Sequence, residues 1–365
     1  MRPKYTLMKI VIDNKIPYIQ EKLQHLADQV VALGGAEISP DDVRDADALI
    51  VRTRTRCDEL LLKGSSVQFV ATATIGFDHI DTDYLQRVGI RWTNCPGCNA
   101  ASVAQYLEST LLLLQRDKGV DLRHATIGIV GCGHVGSKVR SLSQRLGLHV
   151  LVCDPPLAAK ESTNTPRNAT LSKREHPSPN TYVSMDVIER ECDIITFHVP
   201  LTRDGSHPTY HLADEAFFHR LQRRPYIINT SRGEVVDNQA LLAALCDGRV
   251  QDAVLDVWEH EPQLDLQLLQ RVFIGTPHIA GYSADGKVNA DNMVIDALCH
   301  HFDLPHPGYI EAPALPADHP ASLAAHPTPL DYYNPLADSV ALKARPDHFE
   351  YLRNHYPLRR EGCSY

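Results

Sequence analysis

The chain lacks a membrane-length apolar run, a signal-peptide core, a basic surplus and a paired cysteine framework, and each absence removes a class of function. Nothing approaches the roughly 20 apolar residues that span a bilayer, so no membrane is expected as a partner. The stretch from Met1 to Met8 carries no signal-peptide core. Met8 is a second candidate start, because Lys9-Ile-Val-Ile-Asp13 reads as the first strand. A formal charge of −9 argues against nucleic acid, while a local basic patch would still serve an anionic substrate. The nine cysteines are odd in number and scattered, which suits reduced thiols and a cytoplasmic location. Cys95-Pro-Gly-Cys98 has C-x-x-C spacing, but neither a thioredoxin-like context nor a second ligand pair accompanies it, so no metal is expected. Internal repeats and heptads are missing as well. The 365 residues, 43% hydrophobic and 22% charged, suffice for two globular domains and some extra.

What is present centres on residues 126–136, Thr-Ile-Gly-Ile-Val-Gly-Cys-Gly-His-Val-Gly. An apolar β-prone run enters Gly131, Gly133 and Gly136, spaced G-x-G-x-x-G. Val135, Val139, Leu142 and Leu146 then recur at helical steps, and His149-Val-Leu-Val-Cys-Asp154 reads as a second strand. Strand, glycine turn, helix and strand form the context that a dinucleotide site requires. Gly131 permits the tight turn, Gly133 lets the backbone approach a pyrophosphate, and Gly136 lets helix and sheet pack. The helix N-terminus offers free N–H groups to phosphates. Asp154 can accept from ribose hydroxyls and would repel a 2′-phosphate, which favours NAD over NADP.

Before the glycine turn, residues 8–98 alternate short apolar strands (8–13, 48–52, 67–71) with a helical segment at 18–33 and a turn at 63–66. This pattern predicts a parallel sheet with helices on both faces. Residues 100–116 read as a long helix. Further strands are expected at 193–198, 226–230 and 253–257. Residues 159–181 are polar enough for a solvated loop or local disorder. Residues 302–335, rich in Pro, Ala and His, read as a linker or arm, with a possible short helix within 342–356. The tail carries Leu342, Phe349, Tyr351, Leu352 and Tyr356, which need cover, and a second chain would supply it. The same pairing would bring Arg359 or Arg360 toward the partner's cleft. Arg52, Arg54 and Arg56 would share one face if the strand at 48–52 continues, and could meet a phosphorylated substrate.

Three polar clusters follow expected strands: Asn229-Thr-Ser-Arg-Gly233, Asp256-Val-Trp-Glu-His-Glu-Pro262 and Pro277-His-Ile-Ala-Gly281. Ligands of open α/β sheets bind outside the carboxyl ends of strands. Arg232 can grip a carboxylate with a planar fork, His278 can take a hydroxyl proton, and Glu261 can orient the imidazole. That set suits hydride transfer to or from a 2-hydroxy acid.

With Ile75-Gly-Phe-Asp-His-Ile-Asp81, these motifs make the chain resemble the D-isomer-specific 2-hydroxyacid dehydrogenases. Asn94-Cys-Pro-Gly-Cys-Asn-Ala100, Cys153-Asp-Pro-Pro156, Phe197-His-Val-Pro-Leu201, His278-Ile-Ala-Gly-Tyr282 and Arg345-Pro-Asp-His-Phe-Glu-Tyr-Leu-Arg353 are similar to the branch that oxidises 4-phospho-D-erythronate. The resemblance implies NAD-dependent oxidation of that phosphorylated hydroxy acid to 2-oxo-3-hydroxy-4-phosphobutanoate, toward pyridoxal 5′-phosphate. It implies two doubly wound parallel-sheet domains, a flavodoxin-like substrate domain at 1–99 joined by part of 283–302, and a Rossmann NAD domain at 100–282. A small C-terminal dimerisation segment at 303–365 would make a homodimer. Arg232 would bind the substrate carboxylate, Glu261 support the histidine, and His278 act as acid/base. NAD-contacting positions would be Gly131, Gly133, His134, Val135, Gly136, Asp154, Val199, Thr230, Ser231, Arg232, Asp256 and Gly281. Thr53, Thr74 and Tyr282 would meet substrate. Val199 stands where Thr is usual, so one hydroxyl contact is lost. Two alternatives stand beside this reading: a dehydrogenase of glycerate or 3-phosphoglycerate, and an NAD-sensing binding protein of the same fold.

Overall fold

The apolar runs become strands, and the computed structural model, which describes residues 7–164 and 182–362, sorts them into two sheets. β1 (Lys9–Asp13), β2 (Gln29–Leu33), β3 (Ala48–Val51), β4 (Phe69–Thr72) and β5 (Arg91–Thr93) pair in parallel in the order β2-β1-β3-β4-β5. β6 (Thr126–Val130), β7 (His149–Cys153), β8 (Ile194–Phe197), β9 (Tyr226–Asn229), β10 (Asp252–Leu255) and β11 (Ile274–Gly275) form a second parallel sheet, ordered β11-β10-β9-β8-β6-β7. Parallel strands are covered on both faces, so β3, β4, β8, β9 and β10 are buried at every position. The doubly wound α/β architecture is therefore as the sequence led us to expect. The first sheet has the flavodoxin-like order, and the second reverses direction between β6 and β8 as a Rossmann sheet does.

Two compact units follow, Met1–Asn99 with Tyr282–Leu315, and Ala100–Gly281 with Pro316–Tyr365. In the first, the helix Ala284–Phe302 returns Ala290, Val294, Ile295, Leu298 and Cys299 to a core shared with Ile10, Ile12 and Phe69. Ser283 caps it, accepting from Gly286 N–H. In the second, the helix Ala100–Lys118 is buried along most of its length.

Several expectations need correction. Residues 18–33 are not one helix: Gln20–Gln24 forms little more than a turn, and Gln29–Leu33 is a strand. The β-branched Val30 and Val31 pair with Ile10 and Val11, and that ladder makes the second half of the segment a strand. The strand at 48–52 stops at Val51, so Arg52, Arg54 and Arg56 do not continue its alternation. Arg52 donates to Lys15 O, and Arg56 pairs with Asp58. Of the polar stretch 159–181, residues 159–164 complete the helix Pro155–Asn164, and residues 165–181 lie outside the described residues.

The tail differs most. Leu342 and Phe349 are fully buried in the core of the second unit, beside Leu268, Leu269 and Val272, and Leu352 packs against that core. Cover for these side chains comes from their own chain. The helix Pro335–Ala344 lies along the edge strand β11, where Ser339 Oγ accepts from Gly275 N–H at 3.0 Å. A β-edge that would otherwise offer an open backbone donor is thereby closed. Lys343 donates to Val272 O, and Gln270 donates to Lys343 O at 3.0 Å. Phe349→Ala should therefore destabilise the protein by about 3–5 kcal/mol, the usual cost of emptying a buried aromatic site. Urea denaturation followed by tryptophan fluorescence checks this, and a loss below about 1 kcal/mol would place Phe349 outside the core.

Candidate active site

All six strands of the second sheet run in parallel, so the loops after them leave from one edge. Gly131 follows β6, Asp154 follows β7, Arg232 follows β9, Asp256 and Glu261 follow β10, and His278 follows β11. β9, β10 and β11 are adjacent, and their ends are in register, Asn229 beside Leu255 and Leu255 beside Gly275.

The glycine turn is tight and closely packed. Gly131 sits at φ 89°, and a Cβ there would meet His198 O at 2.6 Å. A Cβ on Gly136 would meet Gly131 O at 2.0 Å, so the helix His134–Arg145 packs against the turn through backbone alone. A Cβ on Gly133 would meet nothing within 4 Å, so the space in front of that peptide is open. Asp154 ties the turn to the next strand, accepting from Cys132 N–H at 2.8 Å and Leu157 N–H at 3.0 Å. His134 is exposed, while Val135, Asp154 and Val199 are half-buried. Past β9, the Thr230 hydroxyl is buried without a protein partner. Open space at Gly133, helix N–H groups and an orphaned hydroxyl fit a dinucleotide.

The loop after β9 is shaped by Asn229, whose part in it is not visible in the amino-acid order. Its Oδ1 accepts from Ser231 N–H and Oγ–H at 3.1 and 2.8 Å, and its Nδ2 donates to Arg232 O at 2.9 Å. A Cβ on Gly233 would meet Trp258 O at 2.0 Å, which presses this loop against the one that carries Glu261. Arg232 is half-buried, with Nη1 donating to Ser231 O at 2.8 Å.

Glu261 and His278 meet directly. Glu261 Oε2 lies 2.8 Å from His278 Nδ1, and Oε1 accepts from Trp258 N–H at 2.9 Å. Burial pushes the carboxyl pKa up. The His278 hydrogen bond and charge, the Trp258 N–H and the Arg353 charge outweigh it, holding Glu261 below the ordinary carboxylate range. An ionised Glu261 accepts, so Nδ1 carries the hydrogen and Nε2 is left to exchange a proton. His278 itself sits at φ 57°, a left-handed conformation costing about 1–3 kcal/mol that its surroundings must hold. Asp256 is part of that hold. It is 1% exposed, and its carboxylate accepts from Thr276 Oγ1 at 2.7 Å, Ile279 N–H at 2.7 Å and Ala280 N–H at 2.9 Å.

Thr53, Thr74 and Tyr282 belong to the first unit. Thr53 is exposed, and Lys287 Nζ lies 5.3 Å from the centre of the Tyr282 ring. Thr74 ends a relay: His79 Nε2 lies 2.9 Å from Thr72 Oγ1, the two threonine hydroxyls are 2.6 Å apart, and Thr74 donates to Gly76 O at 2.9 Å. Among the described residues no group of His, Cys, Asp and Glu is arranged to hold a metal, and the cysteines are free.

Residues 103–280 match the family model of the D-isomer specific 2-hydroxyacid dehydrogenase NAD binding domain. An erythronate-4-phosphate dehydrogenase of Bacteroides fragilis is 52% identical over 359 residues, 98% of each chain. The chain belongs to the erythronate-4-phosphate dehydrogenase family. The Porphyromonas gingivalis member is 40% identical over 362 residues, covering 97% of this chain and 94% of its own. Among solved structures, D-lactate dehydrogenase from Aquifex aeolicus, complexed with NAD and lactic acid, is 25% identical with a TM-score of 0.63, covering 80% of this chain and 95% of its own. The cofactor of this family member is NAD, and the chain is an NAD-dependent 2-hydroxyacid dehydrogenase.

The two glycines separate fold from ligand. Gly136→Ala should fail to fold or bind NADH, because the methyl collides with backbone. Gly133→Ala should melt as the wild type does yet bind NADH roughly tenfold more weakly, about the loss of one good hydrogen bond to a charged group. Thermal melts and fluorescence titration measure both. Unchanged NADH affinity in Gly133→Ala would remove the turn from the phosphate site.

Proposed function

We propose that the chain oxidises 4-phospho-D-erythronate to 2-oxo-3-hydroxy-4-phosphobutanoate, a step toward pyridoxal 5′-phosphate. The observation that carries the reading is the Glu261–His278 pair at the end of adjacent parallel strands, in a chain 52% identical to a named erythronate-4-phosphate dehydrogenase. The first unit serves as the substrate domain and the second as the NAD domain.

Bound NAD supplies the hydride acceptor. Gly131, Gly133, His134, Val135 and Gly136 form its phosphate turn, and Asp154, Val199, Thr230, Ser231, Asp256 and Gly281 line the remainder of its site. Asp154 places a carboxylate where a 2′-phosphate would be repelled. Arg232 holds the substrate carboxylate with its planar fork. His278 takes the C2 hydroxyl proton on Nε2 as the C2 hydrogen leaves with its electron pair, and ionised Glu261 stabilises the imidazolium that results. Thr53, Thr74 and Tyr282 are the further residues proposed to meet substrate.

Assaying NAD reduction with 4-phospho-D-erythronate, D-glycerate and 3-phosphoglycerate tests this. The first should be turned over with the highest kcat/KM, and preference for either of the others would overturn the substrate assignment. Turnover of none would favour a binding protein. His278→Asn should lower kcat by about two to four decades, the usual weight of a positioned acid or base, with NADH affinity unchanged. Near-wild-type turnover would exclude His278.

The active form is proposed to be a cytoplasmic homodimer. Free thiols support the location, and no described helix is long and apolar enough to cross a membrane. Apolar surface on the tail supports the assembly, with Leu323 71%, Val340 67% and Tyr351 57% exposed. Val340→Asp with Tyr351→Asp should convert a dimer to a monomer by light scattering, and a dimer surviving both changes would point to another surface.

A further inference from the structure

Arg359 is 3% exposed, an unusual position for a guanidinium. Its Nη1 donates to Ile279 O at 3.3 Å, and its Nη2 donates to Ala280 O at 2.5 Å and Ser102 O at 3.2 Å. Its Cζ lies over the Tyr333 ring, 4.3 Å from the centroid. The neighbouring residues anchor the segment to the helix Ala100–Lys118: Gln105 Nε2 donates to Arg360 O at 2.9 Å, and Ser102 Oγ donates to Glu361 Oε1 at 2.7 Å. The expectation that Arg359 reaches a partner's cleft is therefore replaced by a contact within its own chain.

Two of the three carbonyls gripped by Arg359 belong to the residues that follow His278. Their N–H groups are the ones Asp256 accepts. The peptide between Ile279 and Ala280 is thus held at both ends, its N–H by an anion and its C=O by a cation. His278 N–H also donates to Asp256 O at 2.7 Å, so the backbone is fixed on both sides of the left-handed residue. A buried cation surrounded by carbonyls makes strong, directional hydrogen bonds, and a planar fork spans carbonyls that a single ammonium cannot.

We propose that Arg359 is a positioning residue for catalysis: with Asp256 it clamps the Ile279–Ala280 peptides, and the clamp sets the direction in which His278 presents Nε2. This rests on the reading of His278 as the acid/base. The reaction thereby depends on a tail residue that touches neither substrate nor cofactor.

The test uses the full chain with Arg359→Lys and Arg359→Met. Arg359→Lys keeps the charge and the stem, so it retains the fold even if Arg359→Met does not. NADH affinity and the number of NADH sites should stay within twofold of wild type. Turnover per NADH-binding site should fall roughly ten- to a hundredfold, the scale of a misaligned reacting group, with KM for 4-phospho-D-erythronate nearly unchanged. Hydrogen exchange of the Ile279 and Ala280 amides, read without substrate, should quicken in Arg359→Lys. Turnover per site within twofold of wild type would overturn the proposal, and so would unchanged exchange of both amides. A wild type inert toward 4-phospho-D-erythronate would count against the proposed reaction instead, and the amide exchange would still decide the clamp.

Discussion

The loop that carries His278 depends on one buried carboxylate. β11 is two residues long, too short for its ladder to aim the loop that leaves it. Asp256, at the end of β10, takes over that task by accepting from Thr276, Ile279 and Ala280. Thr276 is held in turn by the Tyr106 hydroxyl at 2.8 Å, and its carbonyl accepts from Trp258 Nε1 at 2.9 Å. A histidine in an unfavourable backbone conformation thus rests on side chains from the strand beside it and from the long helix. Such conformations persist only where the surroundings over-determine them.

The electrostatics of the loop extend into the tail. Arg353 helps to keep Glu261 ionised. Asp338 lies beneath Tyr333 and Tyr356, whose hydroxyls both donate to its Oδ2 at 3.0 Å. Burial raises the Asp338 pKa even so, and the Tyr hydroxyls and the Arg359 charge only moderate it. The polar groups under the His278 loop are therefore coupled to one another, and what reads in sequence as an appendage helps to support that loop.

The features visible in the amino-acid order were those whose causes are local. Gly131 and Gly136 stand between an apolar run and a helical period, and each does in the structure what its place suggested: a left-handed turn and a close approach. Strands buried on both faces appear as unbroken apolar runs, so β3, β8 and β9 were found within a residue or two. β2 was misread because Gln29–Leu33 is a half-buried strand whose pattern overlaps a helical one, and pairing with β1 decides between them. Arg232, Glu261 and His278 could be picked out from their places after strands. The work of Asn229, Asp256 and Arg359 could not, because it consists of bonds to backbone atoms, and a sequence does not state which backbone atoms will be near. Arg359 and Ile279 are 80 positions apart.

Both units are interrupted in the chain. The first core awaits the helix Ala284–Phe302, and the second awaits residues beyond 316. On a ribosome, where chains emerge N-terminus first at about 5–20 residues per second, neither core can close as its own strands appear. The NAD domain stays open along β11 until Pro335–Ala344 has left the exit tunnel, and the His278 loop is last to settle. Nascent chains therefore pass through an interval with two incomplete α/β layers, and a truncated message would release a product with an open β-edge rather than a smaller working enzyme.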